Sequence, residues 1–196
     1  TGSVFAAPVV GASVVVLDSS GTTTIAGPVS TANDGTFSVT VPVSAFTSTM
    51  IISSSSGTFI DEATGAATPA MEMAAYVAGG GLSAGAAAHL DPSSTIIARL
   101  VRNHGKTHAD AKAAFSAAFG YIPDLSTPPL NAPSSSATAA QRLAALRAIA
   151  FSQLTKDIGL SPNDQFDLLT AIAEDLADGT LDGRNAAAPV SIGIVT

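Results

Sequence analysis

The sequence GASVVVLDSSGTTTIAGPVSTANDGTFSVTVP, residues 11–42, predicts three short β-strands joined by two turns. Near its end, apolar residues alternate with hydroxyl-bearing residues, and this period of two is typical of a strand with one buried face. The apolar positions are Phe37, Val39 and Val41, and the polar positions are Thr36, Ser38 and Thr40. We therefore expect the first set to point inward and the second set to face solvent.

The segments before the alternating residues fit the same architecture. Residues 13–17 form a continuous, mostly β-branched run, which favours a strand that is covered on both sides. Asn33, Asp34 and Gly35 can supply the positive φ angles of a tight hairpin turn. Together these features predict an antiparallel β-sandwich in the first part of the chain.

The segments PVVGASVVVLD and ANDGTFSVTVP, residues 8–18 and 32–42, resemble the carboxypeptidase-regulatory-like domain, a small transthyretin-like sandwich. In that family the strand after Asp-Gly alternates aromatic and β-branched residues, as the segment from Phe37 to Val41 does. The resemblance covers roughly residues 2–61 and implies a non-catalytic module of bacterial secreted or surface proteins. The remaining residues resemble the helical half of certain proteins of that kind.

The other strand candidates of the β half are less regular. Strands are expected at residues 1–7, 58–61 and 71–77, whereas the serine-rich residues 53–57 are predicted to form a loop. The sequence is thus divided into a β-sandwich domain, a helical domain and a C-terminal strand that returns to a sheet. Their predicted bounds are residues 1–80, 81–187 and 188–196.

Four helices are predicted in the second half, because each has a recognisable N-terminal signal. Ser, Thr and Asp are favoured N-caps, and Pro suits the first helical turn. The signals are Asp91 before Pro92, Thr107 before Asp110, Thr138 before Gln141, and Ser161 with Pro162 and Asp164. The expected fold class is therefore α+β: an Ig-like or transthyretin-like antiparallel sandwich packed with about four helices, and a final strand.

Each predicted helix carries an apolar stripe that we expect to face the core. The stripes are Ile96, Ile97, Leu100 and Val101; Ala111, Phe115 and Phe119; Leu143, Leu146, Ala150 and Leu154; and Phe166, Leu169, Ala173 and Leu176. Because only residues 159–161 join the last two helices, these are predicted to pack antiparallel. The two halves are expected to share one core, since the stripes need an apolar partner.

Composition bounds the kinds of partner that the protein can have. Hydrophobic residues make up 46% of the chain and charged residues only 12%, which favours self-association. Residues 1–88 contain no Lys or Arg, and the net charge of the whole chain is −7. Nucleic-acid binding is therefore excluded as a function class, because neutralising phosphates requires clustered basic residues.

The sequence also limits the chemistry that the chain can perform. It has no cysteine, so disulfides, thiolate metal sites and cysteine nucleophiles do not arise. No apolar run reaches the roughly 18 residues of a membrane span. A chain that starts at Thr1 rather than Met fits a processed mature product or a trimmed chain.

One sequence motif suggests a hydrolase. Residues 81–85, Gly-Leu-Ser-Ala-Gly, match the G-x-S-x-G turn that presents a serine nucleophile between a strand and a helix. That turn requires a parallel sheet with crossover helices before it, and the preceding residues are predicted to be antiparallel. A glycine-rich loop around Ser83 is the better interpretation, and no catalytic residue is predicted.

The three histidines are equally weak candidates for a metal or catalytic site. His104 and His108 have the i, i+4 spacing of a helical metal pair, but Gly105 lies between them and Thr107 starts a new helix. His89 has no partner in sequence. We therefore expect all three to be loop or surface residues.

The acidic segment at residues 175–183 gives a calcium hypothesis. Asp175, Asp178 and Asp182, with two glycines, could provide the oxygen ligands and tight bend that calcium prefers. The first two acids are three residues apart, however, whereas calcium loops have a spacing of two. The favoured interpretation is a helix end followed by a polar turn, with no metal and no cofactor.

We interpret the chain as a non-catalytic extracellular structural protein whose partner is a copy of itself. The expected contact is β-strand addition, which uses backbone hydrogen bonds and alternate side-chain pockets, and which builds a filament when repeated head to tail. The donor candidates are Val190, Ile192 and Ile194 at one end, or Val4 and Phe5 at the other. The alternative is a monomeric cell-surface binding or adhesion module.

Overall fold

A computed structural model describes residues 1–130 and 136–193 as a mixed α+β fold. The strands are β1 (Gly2–Ser3), β2 (Ser13–Asp18), β3 (Thr24–Ser30), β4 (Thr36–Phe37), β5 (Met50–Ser55), β6 (Thr58–Ile60), β7 (Ala67–Pro69), β8 (Met73–Val77), β9 (Arg184–Asn185) and β10 (Ala188–Pro189). The helices are α1 (Pro92–His104), α2 (His108–Phe119), α3 (Ala139–Asp157) and α4 (Gln165–Asp175). Short 3-10 helices lie at Val43–Thr47 and Pro162–Asp164.

The largest sheet is antiparallel and has the strand order β3-β2-β5-β8. Val14 and Val16 of β2 are fully buried, and Val15 and Leu17 on the other face are half-buried, so the strand predicted from the β-branched run is confirmed. The remaining described strands form antiparallel pairs, β1 with β4, β6 with β7 and β9 with β10. The predicted antiparallel β half is confirmed at this level.

The prediction of a serine-rich loop at residues 53–57 is wrong for its first residues. Ser53 and Ser54 belong to β5, the strand between β2 and β8, and both are buried. Their hydroxyl groups have partners, since Ser53 Oγ donates to Glu72 Oε1 at 3.1 Å and Ser54 Oγ donates to the Met73 carbonyl at 3.3 Å. A serine is tolerated in a buried strand when its hydroxyl group is hydrogen-bonded.

The register predicted for the alternating segment is confirmed. Phe37 is buried, and Val39 and Val41 are half-buried against the core. The three hydroxyl residues that alternate with them are exposed. The turn before them is also present, with Gly35 at a φ of +77°. Regular strand pairing in this segment is limited to Thr36–Phe37, which pairs with β1 and not with the large sheet.

The N-terminal segment lies inside the fold of its own chain. The Val4 amide donates to the Gly35 carbonyl and the Phe5 amide to the Leu90 carbonyl, both at 2.9 Å. Val4 and Phe5 are 0% and 2% exposed. This segment therefore joins β4 to the residues that lead into α1.

Helix α1 connects the two halves. It begins at the predicted N-cap Asp91, packs against β8, and contacts α2, α3 and α4. The largest cluster of buried apolar side chains contains residues of the sheet, of α1 and of α4, which confirms a core shared by the two halves. The apolar stripe predicted for α4 is buried as well.

The prediction that the apolar stripe of α3 faces the core is wrong. Leu143, Leu146 and Leu154 are 46%, 62% and 38% exposed, and Ala150 is exposed too. The opposite face is buried instead, through Ala145, Ala148, Phe151, Ser152 and Thr155. Both faces of α3 carry apolar groups, so periodicity alone does not determine which of them is buried. Helix α4 accordingly packs mainly against α1 and only slightly against α3.

The predicted C-terminal strand is only partly regular. Ala188–Pro189 pairs with Arg184–Asn185 in a small hairpin, and the Val190 amide donates to the Gly183 carbonyl at 2.9 Å. Val190 and Ile192 are half-buried, with Ile192 against the main core. Ile194 lies outside the described residues.

Candidate interaction surface

The outer face of α3 carries more exposed large apolar side chains than any other described helix or strand. Ten large apolar side chains are exposed among the described residues, and four of them lie on one side of this helix or at its end. They are Leu143, Leu146, Leu154 and Ile158, with Ala150 at the centre, and we call these five residues the α3 outer stripe. Contiguous exposed apolar surface of this kind marks interaction sites more often than scattered single residues do.

Local sequence fixes where α3 begins. Thr138 and Gln141 form the predicted capping box, in which the Gln141 amide donates to Thr138 Oγ1 at 3.2 Å and the Thr138 amide donates to Gln141 Oε1 at 2.9 Å. Such reciprocal bonds satisfy two amides that a helix start otherwise leaves unpaired. The start of the helix is therefore well determined by its own residues.

Contacts on the inner face fix the rotation of α3 about its axis. Ser152 Oγ is hydrogen-bonded to the buried Asp61 carboxylate, and Lys156 Nζ donates to the Ala63 carbonyl at 2.8 Å. Phe151 packs against Phe119, with ring centroids 5.7 Å apart. Because these polar and aromatic contacts lie on one side, the outer stripe is held toward solvent.

A shallow cavity adjoins one edge of the outer stripe. Arg147 lies over the Tyr121 ring, 3.9 Å from its centroid, and the cavity of about 110 Å³ beside it is lined by Asp91, Asp124 and Leu143 among others. Burial raises the pKa of Asp91 to about 6. The Asp91 carboxylate also caps α1, since Oδ1 accepts from the Ser94 amide at 2.7 Å, so this acid has a structural role.

The G-x-S-x-G sequence lies in the loop between β8 and α1. Ser83 is exposed in the loop before α1, and the described residues on either side of it form no strand-to-helix turn. The prediction that this segment is a glycine-rich loop is confirmed.

The histidines lie apart from one another. His104 is at the end of α1, 3.5 Å from Glu174 Oε2, and His108 starts α2 with its ring tilted against that of Tyr76, 4.7 Å between centroids. His89 lies in a loop, as predicted, but it is buried there at 9% exposed, and its Nδ1 is hydrogen-bonded to Ser3 Oγ at 2.8 Å. Burial lowers the pKa of His89. This contact ties β1 to the segment before α1.

The acidic segment after α4 uses its carboxylates within the loop. Asp175 accepts from the amides of Asp182 at 3.0 Å and Gly183 at 2.8 Å. Asp178 accepts from the amides of Thr180 at 3.0 Å and Ala186 at 2.7 Å. Among the residues that the structure describes, no group of three His, Cys, Asp or Glu side chains could hold a metal ion. The geometry favours the polar-turn interpretation over calcium.

The two edges of the large sheet differ in how open they are to strand addition. Along β8, Ser94 Oγ donates to the Ala74 carbonyl at 2.9 Å and the Ala74 amide donates to Thr95 Oγ1 at 3.1 Å, so α1 covers this edge. On the other edge, β3 contains Pro28, which has no amide hydrogen. Neither edge presents a full row of free backbone groups.

Sequence reasoning missed Ile158, the last residue of the outer stripe. It is 47% exposed and follows Leu154 by four residues, so the helical periodicity could have identified it. Within residues 1–130 and 136–193, no helix combines the length and the apolar character that crossing a membrane requires. Comparison with protein families, curated proteins and solved structures finds no significant match.

Proposed function

We propose that this protein is a non-catalytic structural protein of the bacterial exterior that assembles with copies of itself. The observation that carries the proposal is the α3 outer stripe, which exposes three leucines and one isoleucine on one rigid helix. Fully burying one such side chain is worth about 1.5–3 kcal/mol, so covering several of them can drive association. A charge content of only 12% leaves little repulsion to oppose it.

The β half fits the carboxypeptidase-regulatory-like sandwich that the sequence resembles. The support is the four-stranded antiparallel sheet together with the segment from Phe37 to Val41, which packs across its face into the same core. In this proposal the β half is a rigid, non-catalytic platform. Helix α3 and the chain ends supply the contacts between subunits.

Strand exchange at the N-terminus is the proposed route from small oligomers to a filament. Residues 1–7 contact β4 and the segment before α1, and a neighbouring chain could provide the same partners without any new interface. Such an exchange of identical segments is a low-cost way to join subunits. The residues carried across would include Val4 and Phe5.

A disulfide experiment tests this exchange, because the chain has no native cysteine. Ser3 and His89 are in direct contact across the N-terminal segment, so the double variant S3C/H89C places two thiols together. Oxidation should give a ladder of covalent multimers if the segment is exchanged between chains. Covalently closed monomers alone would show that each chain keeps its own segment.

The C-terminal donor is tested by truncation. Deleting residues 190–196 removes Val190 and Ile192 from the hairpin side of α4 and should leave a folded chain, because the large sheet does not include them. If electron microscopy shows filaments for both the full chain and this variant, the C-terminus is not the donor. A full-length chain that stays monomeric at high concentration would instead favour the monomeric binding module.

A further inference from the structure

The α3 outer stripe is nearly symmetric about its central residue, and this symmetry indicates what covers it. Leu146 and Leu154 each lie four residues from Ala150, and Leu143 and Ile158 lie seven and eight residues away. At a rise of 1.5 Å per residue, the stripe is about 22 Å long. A second copy of the same stripe, turned end over end, presents matching side chains along this whole length.

We propose that the partner of the α3 outer stripe is the α3 outer stripe of a second copy, packed antiparallel about a two-fold axis at Ala150. This inference rests on the proposed function and adds the partner and its orientation. In the pair, Leu146 of each copy faces Leu154 of the other, and Leu143 faces Ile158. The two Ala150 residues meet at the axis, where a small side chain lets helices approach to about 8 Å.

Charge distinguishes this arrangement from a parallel one. Arg142 and Asp157 lie near opposite ends of α3 but on the same flank of the stripe, about 60° apart around the helix axis. Gln153 Nε2 donates to Asp157 Oδ1 at 2.6 Å, and this bond holds the carboxylate on that flank. An antiparallel two-fold brings Arg142 of each copy to Asp157 of the other, whereas a parallel two-fold puts this flank of the two copies on opposite sides of the seam and forms no such pair.

The symmetry also limits what this contact can build. An isologous two-fold contact uses the same patch on both copies and closes with two subunits. The α3 pair is therefore a dimer contact, and a filament needs a second contact such as the exchange of residues 1–7. Dimers joined through their N-terminal segments would form the continuous assembly.

Cysteine crosslinking of the otherwise cysteine-free chain tests the orientation. The variant A150C should form a disulfide-linked dimer on mild oxidation, because this position lies on the axis. L146C and L154C should each crosslink poorly alone and efficiently when mixed. L181C is the control, since Leu181 is 44% exposed but lies outside α3. Rapid crosslinking of L146C alone would overturn the proposal. So would a failure of A150C to crosslink although the wild-type protein associates.

A charge swap gives an independent measurement. R142E and D157R should each raise the dimer dissociation constant roughly 5-fold to 10-fold, and the double variant R142E/D157R should recover most of the loss. Single variants that leave the dissociation constant unchanged, or a double variant that adds their losses, would refute the antiparallel pair. If the wild type does not associate at all, the proposed function fails with it. Association without these couplings refutes only the orientation.

Discussion

Helices α1 and α3 each carry an apolar stripe that the sequence predicts to face the core, but the two stripes have opposite relations to it. In α1 the residues from Pro92 to Leu100 are all buried, including the predicted stripe positions Ile96, Ile97 and Leu100. In α3 the predicted stripe faces solvent. The pattern of apolar residues therefore identifies a helix, whereas the number of elements packed around the helix determines how much of it is buried.

Polar contacts explain why α1 can be buried nearly all round. Arg99 is 7% exposed, and its Nη1 donates to the Phe166 carbonyl at 3.1 Å and to Thr170 Oγ1 at 2.9 Å. Arg102 forms a two-point ion pair with Glu72 at 2.5 and 2.6 Å. A buried polar group is tolerated only when such partners exist. The two arginines of α1 therefore have hydrogen-bond partners at the positions where the helix is packed against α4 and Glu72.

Small residues explain the opposite orientation of α3. Its inner face carries Ala145, Ala148 and Ser152, which permit close approach, and Ser152 is hydrogen-bonded to Asp61. Turning the leucines inward would require more space and would break this contact. The three leucines are therefore left on the outside, where a partner can cover them.

The first comparison measures the stability of the isolated subunit. Leu100 of α1 is 0% exposed, so L100A should lower the free energy of unfolding by about 3 kcal/mol. Leu146 of α3 is 62% exposed, so L146A should lower it by less than about 0.5 kcal/mol. Urea unfolding at a concentration where the chain is monomeric gives both values. Equal losses would mean that the α3 outer stripe belongs to the core.

The stability that the ion pair between Arg102 of α1 and Glu72 contributes should depend on pH. The hydrogen bonds from Arg102 lower the pKa of Glu72 below its ordinary 4.5. A carboxylate with a depressed folded-state pKa stabilises the fold above its unfolded pKa, and this contribution is lost as the pH falls through the folded value. E72Q should cost about 1 kcal/mol at pH 7 and little at acid pH, whereas D157N on α3 should cost little at either pH. A cost of E72Q that does not change with pH would contradict this account.

The third comparison concerns the two N-caps. T138A should destabilise α3 by about 1 kcal/mol, because it removes the capping oxygen. For D91N on α1 we expect no loss at pH 7, since asparagine also caps well and burial raises the Asp91 pKa to about 6. A raised carboxyl pKa means that the wild type gains stability as the pH falls from about 6 toward 3.8, and D91N should abolish this gain. Thermal unfolding at pH 4 and pH 7 measures both variants.

The sequence predicted most helices and their caps, but not which side chains are buried or which distant residues they contact. Caps at Asp91 and Thr138 were recognisable because their hydrogen bonds join residues close in sequence. The buried Ser53 and His89 were missed because their partners, Glu72 and Ser3, are distant in sequence. The same reason explains the α3 stripe, whose orientation depends on Asp61. Long-range partners are the information that local patterns lack.

The α3 outer stripe is proposed to be an interface between subunits and not part of the core. Sedimentation equilibrium of the double variant L146E/L154E, beside the wild type and the control L181E, distinguishes these two roles. We predict that the wild type and L181E associate to the same extent, and that L146E/L154E is folded but loses the α3 contact, so that only association through residues 1–7 remains. A double variant that is unfolded, or that associates as tightly as the wild type, would contradict the claim.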